Sequence, residues 1–216
     1  MIYVIGDIHG CLDPLRRLMA QLCPSETDEV IFLGDYVDRG PDSQGVIEYL
    51  LTLSGRYTFL MGNHERMFLD FLQGKERALF LYNGGTATLD SYGGLRGIPA
   101  THLAFLDRLR LCYETQEYLF VHAGIRPGIP VQEQDERDLL WIREEFYAYS
   151  GRFPKTVVFG HTPMREVLMD EDRIGIDTAC VYGNKLTCLT LPSRDVIQVS
   201  NSLDMHPRTT LQSYRR

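Results

Sequence analysis

Cysteine is sparse and unpatterned in this chain of 216 residues: there are five, an odd number, with no C-x-x-C pair. That argues against a disulfide framework and reads as reduced thiols in a cytoplasm. Long apolar runs are missing, so no segment is expected to span a membrane. The opening "MIYVIGDIHG" has no basic start followed by a long apolar stretch, so no secretory signal is expected either. A basic excess is also missing. The net charge is -7, which argues against a non-specific nucleic-acid binder. It leaves room for a phosphate-bearing substrate, because a local site can be positive on an acidic protein. There is no internal repeat, low-complexity segment or linker. What remains is ordinary for a globular chain, 44% hydrophobic and 24% charged, and long enough for one domain with a proper core.

A short apolar run ending in a polar residue recurs five times, as "IYVIGD", "VIFLGD", "YTFLMGN", "YLFVHA" and "TVVFGH". Runs of this length, rich in Val, Ile, Phe and Tyr and closing near glycine, predict buried strands. Each delivers a potential metal ligand at its carboxyl end: Asp7, Asp35, Asn63, His122 and His161. Helical spacing lies between some of them. Asp13 to Leu22 has a cap-like acid followed by proline, and "SQGVIEYLL" and "ERMFLDFL" are similar. Strands alternating with helices predict an α/β fold, in which ligands gather outside the carboxyl ends of the strands. Five such ends point to one shared site.

Elsewhere the sequence is less informative. Residues 72–102, with "YNGGTATLDSYGG", read as helices and turns beside the site. Residues 173–200 read as short strands joined by a "YGNK" turn. The charge run "EQDERD" reads as a solvated loop. Residues 1–204 read as the catalytic domain and residues 205–216 as a flexible tail.

The clustered residue types are hard or borderline donors that suit Mn, Fe, Zn or Ni. One divalent ion does not need so many. Two ions about 3.5–4 Å apart do, with a carboxylate bridging them. Asp35, ending a strand that could be central, is the expected bridge. Two divalent cations with Asp7, Asp35 and a hydroxide leave a net positive site before Arg39 is added. Such a site attracts phosphate and stabilises negative charge in an in-line displacement.

The motifs "GDIHG" (6–10), "GDYVDRG" (34–40), "GNHE" (62–65), "HAG" (122–124) and "GH" (160–161) occur in the order of the phosphoprotein phosphatase branch of the calcineurin-like metallophosphoesterases. The resemblance covers roughly residues 1–190. It is nearest to the small bacterial and phage-type serine/threonine phosphatases, through "NGGTATLDSYG" and "IDTACVYG". It implies two mixed β-sheets packed as a sandwich and flanked by helices, with a binuclear centre at the strand ends. The first metal would take Asp7, His9 and Asp35, and the second Asp35, Asn63, His122 and His161. Manganese is the expected ion. A metal-bridging water or hydroxide would attack phosphorus directly. His64 resembles the histidine that protonates the leaving oxygen, and Asp38 the acid that orients it. Arg39 and Arg143 resemble the phosphate-gripping arginines, whose planar fork holds two oxygens at once, and Asn63 also reaches the substrate.

The implied activity is hydrolysis of phosphoserine and phosphothreonine in proteins or peptides. The alternative is a dinucleoside tetraphosphate hydrolase. Those relatives typically show "DIQG" and "VARG", so His9 and Asp38 favour the phosphatase. A binding scaffold that has lost its metals is disfavoured, because every ligand position is filled. His102 and His206 lie outside the motifs and are expected to do no chemistry. Arg143, on an expected helix, has a surface ion pair with Glu144 or Glu145 as its alternative. Cys11 is expected to pack, with oxidant sensing as the alternative. Asp177 and Tyr182 each divide between a role at the site and a turn or packing role.

Overall fold

The protein is described here by a computed structural model covering residues 1–201. The domain limit at 204, the tail 205–216 and His206 lie outside the described residues. All five runs form strands: β1 (Ile2–Ile5), β2 (Glu29–Phe32), β3 (Arg56–Phe59), then, after a short β4 (Cys112–Glu114), β5 (Tyr118–Val121) and β6 (Thr156–Phe159). Four more follow: β7 (Leu168–Met169), β8 (Arg173–Gly175), β9 (Lys185–Leu191) and β10 (Val196–Ser200). One sheet runs β10-β9-β1-β2-β3 and the other β4-β5-β6-β8-β7. Both are mixed. β1, β2 and β3 are parallel, as are β5, β6 and β8. β9 and β10 join the first sheet antiparallel, and β4 and β7 join the second in the same way.

The strands are apolar throughout because both faces are covered. On β1, Val4 points into the sandwich and Ile5 toward the helices. On β5, Tyr118 and Phe120 point in, and Leu119 and Val121 point out. The sandwich interior joins Val4, Ile31, Leu33 and Leu60 to Phe120, Val158 and Ile174. Outside the first sheet pack α1 (Leu12–Leu22), α2 (Ser43–Thr52) and α3 (Asn63–Leu72), through Leu15, Leu18, Val46, Ile47, Met67 and Phe68. Three short helices follow, α4 (Arg77–Phe80), α5 (Thr86–Ser91) and α6 (Ala100–Leu106), with a π-helical turn, Leu81–Gly85, between the first two. Against the other sheet lie α7 (Glu136–Trp141) and α8 (Glu144–Tyr147), through Leu139 and Phe146.

Five local expectations are corrected. α1 starts at Leu12 with Cys11 at its cap and no side-chain cap, so Asp13 sits in the first turn and pairs with Arg17 at 2.8 Å. α3 starts at Asn63, two residues before the expected helix. "YGNK" is not a hairpin turn, since β8 and β9 lie in different sheets; the hairpin is β9–β10, turning at residues 192–195. The run "EQDERD" is partly helical: Asp135 caps α7 by accepting from Arg137 N, and Asp138 holds Arg126 at 2.6 Å. β2 is interior but off-centre, because β1 takes the middle of its sheet.

Candidate metal centre and phosphate site

The carboxyl ends of β1, β2 and β3 from one sheet and of β5 and β6 from the other converge. Asp7 and His9 follow β1. Asp35, Asp38 and Arg39 follow β2. Asn63 and His64 form the first turn of α3, directly after β3. His122 and His161 follow β5 and β6. Tight backbone turns aim these side chains inward. Nine described non-glycine residues have positive φ, and five of them are His9, Asp35, Asp38, Arg39 and His161. Left-handed backbone at non-glycine residues carries strain, and here it collects at one site. Two glycines allow close approach: a Cβ on Gly62 would strike Asp35 Oδ1, and one on Gly160 would strike Asp7 Oδ1.

Asp35 stands between two imidazoles. Its Oδ2 lies 3.3 Å from His9 Nε2 and its Oδ1 lies 3.4 Å from His122 Nε2. Asn63 Oδ1 lies 2.9 Å from His122 Nε2 and 2.8 Å from His161 Nδ1. The carboxylate of Asp7 accepts from His161 N at 3.0 Å. His9 Nδ1 donates to Val37 O at 2.8 Å, and His122 Nδ1 donates to Leu33 O at 2.9 Å. A carbonyl can only accept, so each Nδ1 carries the proton and each Nε2 lone pair faces the centre.

The electrostatics favour cation binding. Burial lowers His9 to about 3, His122 to about 4 and His161 to about 2, leaving the imidazoles neutral. Burial raises Asp35 to about 7 and Asp7 well above the carboxylate range. Buried carboxylates and neutral imidazoles at this spacing fit divalent ions. Two groups of three donor atoms, each group spanning no more than 4.8 Å, share Asp35: His9–Asp35–His64 and Asp35–His122–His161.

His64 has a second engagement. Its Nδ1 lies 2.7 Å from Asp38 Oδ2, while its Nε2 lies 4.0 Å from Asp35 Oδ2 and is buried without a hydrogen-bond partner. Spacing alone groups His64 with possible ligands. The short contact to Asp38 favours a separate job, since that carboxylate holds the ring from behind. Arg39 Nη1 lies 2.8 Å from His9 Nε2. Arg143 is not on a helix but in the break between α7 and α8 (φ −137, ψ −85), and its Nε donates to His161 Nε2 at 3.2 Å. It turns into the site, not toward Glu144 or Glu145.

Glu65, the last residue of "GNHE", was given no role by the sequence. It is fully buried, and its carboxylate accepts from the backbone N–H groups of Asp35 (2.8 Å), Tyr36 (2.7 Å), Val37 (3.1 Å) and Gly62 (3.0 Å). It thereby ties the Asp35 loop to the start of α3. Its signal was available, because a Glu three residues into a helix reaches back to the cap N–H. Asp177 is buried and its Oδ1 accepts from Ala179 N at 2.9 Å, a turn role, while its charge adds to burial in pushing Asp7 up. Tyr182 is 57% exposed, with the Arg39 guanidinium 5.8 Å from its ring centre, so it lines the rim and does not pack. His102 is buried against Tyr92, 2.8 Å from its hydroxyl.

This arrangement is that of a metal-dependent phosphoester hydrolase. The chain belongs to the calcineurin-like phosphoesterase family, whose model matches residues 1–195. It is 29% identical to the asymmetrical bis(5′-nucleosyl)-tetraphosphatase PrpE of Oceanobacillus iheyensis, over 93% of this chain and 92% of that one. It is 33% identical to serine/threonine-protein phosphatase 1 of Salmonella typhimurium, over 86% of this chain and 89% of that one. Its fold matches the crystal structure of a candidate diadenosine tetraphosphatase with a TM-score of 0.75 and 28% identity, covering 92% of each chain. Among the described residues no helix is long and apolar enough to cross a membrane.

Proposed function

We propose that this protein hydrolyses phosphate monoesters, with phosphoserine and phosphothreonine of proteins or peptides as its substrates. The supporting observation is the buried Asp38–His64 pair, 2.7 Å apart, beside the shared carboxylate Asp35. An alkoxide leaves poorly unless it is protonated, and a carboxylate-held imidazole is suited to protonate it. Burial pushes Asp38 up and His64 down. The short contact lets the pair share a proton, and an incoming phosphate's negative charge favours the imidazolium. His64 Nε2 then gives its proton to the leaving oxygen as the P–O bond breaks. Asp7, His9, Asp35, Asn63, His122 and His161 would hold two divalent ions, for which we nominate manganese. When bound, such ions supply positive charge to the phosphate and lower the pKa of water. The five cysteines are all free, which supports a cytoplasmic setting.

Arg39 and Arg143 would grip the phosphate, with Asn63 beside them. Arg39→Ala and Arg143→Ala are each expected to lower kcat/KM on the order of tenfold or more and to weaken competitive inhibition by inorganic phosphate, with bound metal unchanged. Wild-type kinetics in Arg143→Ala would make Arg143 a residue without contact to substrate.

A second reading is hydrolysis of dinucleoside tetraphosphates, which the names of the PrpE relative and of the crystal-structure neighbour support. Its leaving group is itself a phosphate and needs less help from an acid, so the Asp38–His64 pair favours the first reading. The deciding experiment compares kcat/KM on phosphoserine and phosphothreonine peptides, diadenosine tetraphosphate and a phosphodiester, with and without manganese. The peptides are expected to lead. A preference of an order of magnitude for the tetraphosphate would replace the first reading with the second.

A further inference from the structure

Asp38 is fully buried, and its hydrogen bonds can be accounted for one by one. Oδ2 faces His64 Nδ1. Oδ1 accepts from Thr88 Oγ1 at 2.6 Å. A threonine hydroxyl has one proton and two lone pairs. Here the proton goes to Asp38 Oδ1. One lone pair accepts Asp38 N–H at 2.8 Å, a proton that Ser43 Oγ also accepts at 3.1 Å, and the other faces Ser43 Oγ at 3.1 Å. Since Thr88's only proton is committed, Ser43 must donate in that contact. Ser43 and Thr88 are themselves fully buried. Every hydroxyl in the chain Ser43–Thr88–Asp38 therefore has a fixed direction.

That direction reaches the imidazole. With Oδ1 occupied, Oδ2 alone is presented to His64. A carboxylate oxygen accepts, so Nδ1–H points at Oδ2, and in the imidazolium the second proton sits on Nε2, which is turned toward Asp35 and has no protein partner. Thr88 lies on α5, fifty residues from Asp38 in sequence. The preceding turn supports the next residue of the same loop, with Gly84 O accepting Arg39 N–H at 3.1 Å.

We propose that Thr88 is a positioning residue for leaving-group protonation, acting through Asp38 to fix the orientation of His64 so that Nε2 is the nitrogen that gives up its proton. The inference rests on the reading of His64 as proton donor given above. A valine at this position keeps the shape and removes the hydroxyl. Oδ1 is then buried without its donor, and the carboxylate must rotate to find another partner. The His64 ring, held only through Oδ2, turns with it. A purely structural Thr88 would behave differently, because loss of packing or of metal lowers turnover on every substrate alike.

The test pairs a phosphoserine peptide with p-nitrophenyl phosphate, whose leaving group needs little protonation. Manganese-loaded wild type, Thr88→Val, Thr88→Cys, Thr88→Ser and His64→Asn are compared, with metal content measured for each. Thr88→Val is expected to lose roughly tenfold or more in kcat on the peptide and clearly less on the nitrophenyl ester. KM should stay near wild type. Thr88→Ser, which restores the donor, should recover most of the peptide activity. Thr88→Cys, a weak donor, should fall between, and it carries the test if the valine variant does not fold. In protein loaded with diamagnetic zinc instead of manganese, the proton NMR signal of the His64 Nδ1–H, expected to exchange slowly in wild type and in Thr88→Ser, should broaden or shift in Thr88→Val or Thr88→Cys. Equal losses on both substrates, or full peptide activity without the hydroxyl, would overturn the proposal. If His64→Asn separates the two substrates and the Thr88 variants do not, this inference alone fails. If His64→Asn does not separate them, the reading of His64 fails and takes this inference with it.

Discussion

Asp35→Asn is expected to strip most of the bound divalent metal and to lower turnover on the order of 10²-fold or more, on any phosphate ester. The two carboxylate oxygens of Asp35 face different imidazoles, His9 at 3.3 Å and His122 at 3.4 Å. An amide replaces one oxygen with an NH2 group, which donates hydrogen bonds and cannot ligate a cation. One side of the pair of donor groups therefore loses its shared ligand, and the site loses a negative charge. The backbone should hold, because Glu65 grips the N–H groups of residues 35–37 and not the Asp35 side chain. Elemental analysis, circular dichroism and kinetics on one preparation check this. Asp13→Asn on the exposed face of α1 is the control and should match wild type. A chelator should silence the wild-type enzyme, and added manganese should restore it. Wild-type metal content in Asp35→Asn, or full activity in metal-stripped protein, would refute a shared-carboxylate centre.

The strands were legible because both faces of each sheet are buried, so their residues are apolar without alternation and the first polar residue marks where the chain leaves the core. The ligand types at those ends were legible for the same reason: Asp7, Asp35, Asn63, His122 and His161 each stand just beyond an apolar run. What escaped was long-range. Glu65 acts on a loop thirty residues earlier, and Thr88 acts on Asp38 from a helix whose threonines look alike in sequence. "YGNK" has turn chemistry, but local chemistry does not say that the strands on either side belong to different sheets. The run "LLWIREEF" has helical spacing on both sides of Arg143, yet the helix breaks there, and the break is what turns Arg143 toward His161. "EQDERD" looks solvated because its charges are countable, while the cap made by Asp135 depends on where α7 begins.

His64→Asn separates acid catalysis from metal binding. Spacing alone places His64 among the possible ligands, with His9 and Asp35. Its Nδ1 contact with Asp38 at 2.7 Å and its partnerless Nε2 suit a proton donor instead. Asn63 and His64 are neighbours on the first turn of α3. Successive residues on a helix point about 100° apart, so Asn63 can meet His122 and His161 while His64 meets Asp38. If His64 donates a proton, its value depends on the leaving group. Serine leaves as an alkoxide and needs that proton, whereas nitrophenolate needs it far less. His64→Asn should cost on the order of 10²-fold or more on a phosphoserine peptide and clearly less on p-nitrophenyl phosphate, with bound metal near wild type. Asp38→Asn should give a milder form of the same pattern, because an amide can still hold the ring but no longer stabilises its positive charge. The measurement is paired kinetics on the two esters with elemental analysis of each variant. Equal losses on both esters, accompanied by loss of one metal, would make His64 a ligand. The proton for the leaving oxygen would then have to come from another group, and the short Asp38 contact would serve to orient a metal-binding imidazole.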